Sequence, residues 1–316
     1  MSGRFLVTGG AGFIGSHLTE ALLKRGDRVV VLDNFNDFYD PKIKRENADL
    51  VLSAGGEIIE GDIRDAELVQ RLIVQDGFDG VVHLAAMAGV RPSLDAPSLY
   101  QDVNVRGTTL ILEALQQRPK TRFVFASSSS VYGGNLKVPF HEEDDVSRPV
   151  SPYAATKRAG ELLCWTFHHL YQIPTTCLRF FTVYGPRQRP EMAIHRFVRC
   201  VHEGHPIPFF GDGSSRRDYT YVSDIVGGVV QAIDRCGAFQ IFNLGESQTT
   251  SLEDLVVQIG AACGKEPVLE RLPNQPGDVP VTYADISQAR KILAYDPQVP
   301  VAEGLERFVQ WYRGRP

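Results

Sequence analysis

In the first half of the chain the apolar residues come in short unbroken runs rather than at alternate positions. Val29-Val30-Val31-Leu32 and Phe123-Val124-Phe125 are the clearest of them. A strand that is apolar at every position has both faces covered. Such runs at 4–8, 28–33, 57–60, 80–84, 122–127 and 175–180 alternate with helical stretches. That alternation predicts a doubly wound parallel α/β sheet with helices on both sides. After Phe181 the texture changes to proline, glycine and arginine, as in Tyr184-Gly185-Pro186-Arg187-Gln188-Arg189-Pro190, and a short helix is expected at 193–203. A smaller C-terminal α/β lobe is expected there. Residues 223–234 and 238–243 again read as helix and buried strand, so the chain returns to the sheet before it finishes in the second lobe. The expected division is 1–177 with 223–245 for the sheet domain, and 178–222 with 246–316 for the smaller lobe.

The first run leads into Thr8-Gly9-Gly10-Ala11-Gly12-Phe13-Ile14-Gly15, a GxxGxxG arrangement that opens a helical stretch ending near Arg25. Gly9 permits a tight turn, Gly12 lets backbone amides approach a pyrophosphate, and Gly15 lets the helix pack close to the sheet. Glycine-rich turns are common, and context supplies the rest. The second run ends in Asp33, 24 residues after Gly9. An acidic side chain there accepts hydrogen bonds from both adenosine ribose hydroxyls and repels a 2′-phosphate, which favours NAD over NADP. The sheet is therefore expected to be a Rossmann fold. Asp62-Ile63 and Leu84-Ala85-Ala86 fall at further strand ends on the ligand side, as neighbours of adenine and ribose. Asp62 reads equally as an ordinary N-cap.

Ser151-Pro152-Tyr153-Ala154-Ala155-Thr156-Lys157 reads as a helix start, with Ser151 as N-cap and Pro152 in the first turn. Tyr153 and Lys157 then share one face. A phenol titrates near pH 10, so a tyrosine base working near neutrality needs positive charge beside it. The lysine, the helix N-terminus and a nicotinium ring are the sources. A tyrosine and a lysine at this spacing are common on helix surfaces, but here they follow Ala126-Ser127-Ser128-Ser129-Ser130-Val131-Tyr132-Gly133. That serine cluster sits at the carboxyl end of a strand, where open α/β sheets bind ligands, and one of its hydroxyls can share a substrate proton with Tyr153.

Composition narrows the field further. With 316 residues the chain has room for two lobes and a substantial core, at 43% hydrophobic and 22% charged residues. Its net charge of −5, with no basic block, gives nucleic acid little to hold. No uncharged apolar stretch is long enough to span a membrane, and a strand beginning at Arg4 leaves no room for a signal peptide, so a cytoplasmic protein is expected. Cys164, Cys177, Cys200, Cys236 and Cys263 are odd in number and widely spaced, which argues against both a disulfide framework and a zinc site.

Through TGGAGFIG, HLAA, SSSSVYG, YAATK, LRFFTVYG and RRDYTYVSD, in that order, the whole chain resembles the extended short-chain dehydrogenase/reductase family. Within it the chain looks most like the nucleotide-sugar 4-epimerases. The segments Asp33-Asn34-Phe35-Asn36-Asp37-Phe38-Tyr39-Asp40, Ala88-Gly89-Val90-Arg91 and Arg189-Pro190-Glu191-Met192-Ala193 are similar to those of UDP-glucuronate 4-epimerases. The resemblance implies an NAD-dependent homodimer in which Tyr153 is the base, Lys157 its partner and Ser128 the hydroxyl on the sugar O4. It extends the cofactor set to Phe13, Ile14, Asn34 and Phe180, and places Met192 and Ala193 beside the substrate. It also implies that Phe210 stacks on uracil, Arg217 neutralises the diphosphate and Asp278 accepts from the uridine ribose. Gln275 stands where neutral-hexose epimerases usually carry a second arginine, and Thr182 where they carry asparagine. Thr182 with Ser127, Ser128 and Ser129 is expected on a sugar carboxylate, with Arg189 either gating it or lying in solvent. Family dehydratases and decarboxylases carry acidic residues in the slot of Ser129 and Ser130, so neutral hydroxyls there favour epimerisation. The rival expectations are an epimerase of neutral or N-acetylated UDP-hexoses and, more remotely, a catalytically silent NAD-binding regulator. The helices beginning near Leu99 and Ser151 are expected to pair across a two-fold axis, through surplus apolar bulk at Leu110, Leu112, Leu115, Leu162, Leu163 and Trp165.

Overall fold

The computed structural model describes residues 2–273 and 279–315. Gln275 and Asp278 lie outside the described residues. Strands β1 (Arg4–Thr8), β2 (Arg28–Asp33), β3 (Glu57–Glu60), β4 (Gly80–His83), β5 (Arg122–Ser128) and β6 (Thr175–Phe180) form one parallel sheet with a seventh strand, Gln240–Leu244. Starting from the seventh strand, the order is β6, β5, β4, β1, β2, β3. The chain thus winds outward in opposite directions from the β1–β4 pair, and the crevice at its carboxyl ends is where a Rossmann fold takes its ligand. Val29 to Leu32 are buried at every position, as strands sandwiched between helices must be.

Helix α1 (Phe13–Lys24) follows β1 and buries Phe13, Leu18 and Leu22 against the sheet, while helix Val222–Arg235 packs beside it. On the other face Leu6, Val30, Leu72, Leu112, Leu115, Phe123 and Phe125 form a second apolar layer. Leu112 and Leu115 are therefore covered by this chain's own sheet rather than left over for a partner. Leu162 and Trp165 remain half exposed. The strands differ from expectation only at their ends: β4 stops at His83, and β5 runs on to Ser128. The last expected helix and strand occupy Val222–Arg235 and Gln240–Leu244, and β6 crosses the boundary expected after residue 177.

The second lobe is stitched from short pairs. Thr182–Tyr184 lies parallel to Tyr219–Tyr221, Ile207–Phe210 parallel to Leu269–Leu272, and Arg216–Arg217 antiparallel to Thr250–Ser251. Helices Ala193–Glu203, Leu252–Cys263 and Val301–Arg313 cover them. The five cysteines are free thiols. Among the described residues no helix is long and apolar enough to cross a membrane.

Candidate active site

A continuous cleft runs along the carboxyl ends of the strands and out to residues of the second lobe. At its sheet end Gly9 takes a positive φ of 72°, and its amide donates to Leu32 O at 2.8 Å. A Cβ on Gly9 would lie 2.7 Å from the Ala85 nitrogen, and one on Gly15 would lie 2.2 Å from the Gly9 carbonyl oxygen. The turn is thus closed to side chains at both glycines. Helix α1 begins after Gly12 with no side-chain cap, so its first-turn amides, with Phe13, Ile14 and Gly15, face the cleft as an anion-binding end. This cradle fits the pyrophosphate of a dinucleotide.

Asp33 and Asn34 form the wall at the β2 end. The Asp33 carboxylate accepts from the amides of Phe35 at 2.9 Å and Ala11 at 3.1 Å. Burial nevertheless pushes its pKa up from the usual range. Ile63, Leu84, Ala85 and Ala86 also line the cleft, whereas Asp62 does not. Asp62 is committed elsewhere: it accepts from Arg64 Nη2 at 2.7 Å and Asn34 Nδ2 at 2.9 Å, and these bonds, led by Arg64, hold its carboxyl down to about 2. Nor is it an N-cap, since helix Ala66–Gln70 is capped by Asp65.

Helix Pro152–Tyr171 starts as expected, with Ser151 Oγ accepting from the Ala154 amide at 3.1 Å. It carries Tyr153 and Lys157 to the floor of the cleft, where Ser128 lines the same wall. Burial raises the phenol pKa, against the Ser128 hydroxyl and the charge of Arg189, which lower it. Lys157 Nζ donates to Ala126 O at 2.7 Å, and burial pushes its pKa down to about 8. Ser129 and Phe180 line the same space. Ser127 also lines the cleft, and its hydroxyl donates to Glu161 at 2.6 Å, inside a buried pair in which Arg179 binds both Glu161 oxygens at 2.8 and 2.9 Å.

At the outer end Thr182, Arg189 and Met192 face the cleft. Arg189 is not a solvent-facing loop residue. Its side chain is 19% exposed, pairs with Glu191 at 3.2 Å and lies 5.6 Å from the centre of the Phe38 ring. Ala193, Phe210 and Arg217 are not on this wall. Ala193 begins helix Ala193–Glu203, the Phe210 ring centre lies 5.7 Å from the Arg91 guanidinium, and Arg217 Nη1 donates to Arg216 O at 2.9 Å.

Sequence reasoning gave no role to Asn104 or Tyr100. Asn104 clamps the Met87 backbone with bonds of 2.8 and 2.9 Å and donates to Thr156 at 3.0 Å, tying the cleft wall to the helix of Tyr153. Tyr100 donates to Ala88 O at 2.7 Å and sets its ring edge-on to Tyr153. An asparagine flanked by Val103 and Val105 was the signal available in the sequence, and the fold buries it with its hydrogen bonds satisfied.

Residues 5–245 match the NAD dependent epimerase/dehydratase family, and the chain belongs to it. It is 43% identical to UDP-glucuronate 4-epimerase 4 of Arabidopsis thaliana, over 97% of this chain and 74% of that one. It is 42% identical to the UDP-glucuronate 4-epimerase of Thermodesulfobacterium geofontis, over 98% and 96% of the two chains. Among solved structures it superposes with a TM-score of 0.91 on UDP-glucuronic acid 4-epimerase of Bacillus cereus in complex with UDP-glucuronic acid and NAD, at 39% identity over 98% and 99% of the chains.

Proposed function

We propose that this protein is an NAD-dependent 4-epimerase that interconverts UDP-glucuronate and UDP-galacturonate. The observation that carries the reading is one cleft with the glycine cradle and Asp33 at one end, the Ser128–Tyr153–Lys157 set at its floor, and Thr182 with Arg189 at the other end. Curated UDP-glucuronate 4-epimerases matching nearly the whole chain support it.

Gly9, Gly12, Gly15, Asp33 and Lys157 are the residues that would hold NAD. Its nicotinamide supplies the chemistry of accepting a hydride from the sugar C4 and giving it back. Tyr153, in the phenolate form that adjacent positive charge favours, takes the 4-hydroxyl proton as the C4 hydride departs and becomes the neutral phenol, and Ser128 hydrogen-bonds O4. A 4-keto sugar results. After the sugar turns over, the same pair returns the proton to O4 of the opposite configuration. Lys157 keeps positive charge next to the phenol. Thr182 and Ser129 supply neutral donors for the C6 carboxylate, and Arg189 an ionic partner for it. In this reading Phe210 and Arg217 hold the UDP, with Met192 and Ala193 beside the sugar. Two copies pair through the exposed apolar face of Leu162 and Trp165, as a cytoplasmic homodimer.

The test is incubation of the pure protein with UDP-glucuronate, UDP-glucose and UDP-N-acetylglucosamine separately, with identification of the sugars formed. Conversion of UDP-glucuronate alone is expected. A second reading, as a neutral-hexose epimerase, draws on the likeness to UDP-glucose 4-epimerase of Thermotoga maritima, at 33% identity and a TM-score of 0.89. Equal turnover of UDP-glucose would favour it.

A further inference from the structure

Three consecutive residues of the 185–192 loop point in three directions. Arg189 faces the cleft. Gln188 is anchored in its own lobe: its Nε2 donates to Val183 O at 3.0 Å, and it accepts from His195 N at 3.2 Å and His195 Nδ1 at 2.6 Å. Arg187 crosses to the other lobe. Its Nη1 and Nη2 bind the two Glu20 oxygens at 2.9 and 2.8 Å, and Nη2 also donates to His17 Nδ1 at 2.8 Å. A guanidinium has no acceptor, so His17 Nδ1 is unprotonated. The ring proton is therefore on Nε2, which donates to Pro186 O at 2.8 Å. Burial and the Arg187 charge hold the imidazole pKa down to about 4, so the ring is neutral.

His17 and Glu20 belong to α1, whose N-terminus opens on the cleft. His17 lies one turn after Phe13 and meets its ring edge-on at 6.0 Å. The Arg187 side chain is only 12% exposed, and its bidentate bond is unlike a mobile surface pair. Its backbone takes a φ of 67°, a conformation that L side chains rarely adopt, so something must hold it there.

We propose that Arg187 is a positioning residue: through His17 and Glu20 it couples the sugar-facing loop, with Arg189 and Met192, to the helix that receives the dinucleotide. The inference rests on the reading of residues 9–15 as the cofactor cradle. It makes cofactor binding order the substrate end, without Arg187 touching either ligand.

Hydrogen exchange of protein freed of cofactor and reloaded with NAD tests this. In the wild type, NAD is expected to slow exchange in 9–15 and also, about tenfold, in 185–192. In Arg187→Ala the protection of 9–15 should remain and that of 185–192 should vanish, with Arg187→Lys restoring part of it. Glu20→Gln gives the same readout if Arg187→Ala does not fold. Loop protection that survives both Arg187→Ala and Glu20→Gln, or that is missing from the wild type, overturns the coupling. Absence of protection in 9–15 of the wild type overturns the cofactor assignment, and the coupling with it.

Discussion

The Lys157 ammonium lies 6.0 Å from the centre of the Tyr153 ring, one turn along the same helix, and spends its hydrogen bond on Ala126 O. Both groups are held away from their ordinary titration by burial, the lysine downward to about 8 and the phenol upward. Below pH 8 the folded protein carries a buried charge that it disfavours relative to the unfolded chain. The deficit disappears as pH rises through the interval between the folded value and the ordinary one near 10.4. Lys157→Met should therefore raise stability at pH 7 by about 1–3 kcal/mol. The same change should lower turnover about 10²–10⁴-fold. Thermal melts beside initial rates check both, and a destabilised variant would contradict the charge argument.

In the proposed function Asp33, on the cleft wall, sets the choice of dinucleotide. Asp33→Asn keeps an acceptor for the Phe35 or Ala11 amide and removes the charge that repels a 2′-phosphate. Its preference for NAD over NADP should fall by at least about tenfold, as read by titration with each cofactor.

The Glu161–Arg179 pair beneath the serine cluster is almost wholly buried, at 0% and 1% side-chain exposure. Arg179→Met leaves the buried Glu161 carboxylate only Ser127 and the less buried Arg158 as partners and should cost about 2–4 kcal/mol of stability. Adding Glu161→Leu should recover more than half of that loss, because no buried charge is then left unpaired. Urea midpoints of the two single variants and the double variant measure it.

Thr182 lines the outer end of the cleft, and in the proposed function it restrains the sugar carboxylate. Once C4 is a ketone, that carboxylate is lost as CO2 if its C–C bond stands perpendicular to the carbonyl plane. Thr182→Ala should therefore slow epimerisation and release some UDP-4-keto-pentose, detectable by mass spectrometry, where the wild type releases almost none.

The fold was legible because its determinants are local. Unbroken apolar runs such as Val29 to Leu32 mark strands covered on both faces, and Gly9 and Gly15 mark a turn that admits no Cβ. The floor of the site was legible for the same reason, since Ser151, Tyr153 and Lys157 depend on one helix start. What escaped depends on side chains that meet only after folding. Ser127 reads as a cleft hydroxyl, and only the fold shows that it also donates to Glu161. Asp62 reads as a ligand-side acid or a cap, and only the fold shows Arg64 bonded to its carboxylate and Asp65 capping the helix in its place. Asn104 gains its place only when two helices meet at Thr156.

The central claim is that the cleft removes and returns the same hydride at C4, with Tyr153 handling the proton. The direct test is UDP-glucuronate labelled with deuterium at C4, followed by mass spectrometry and NMR of the product. Retention of the label at C4 of UDP-galacturonate is predicted for the wild type, with no turnover in Tyr153→Phe. Loss of the label to water, or inversion at a near wild-type rate in Tyr153→Phe, would contradict the account.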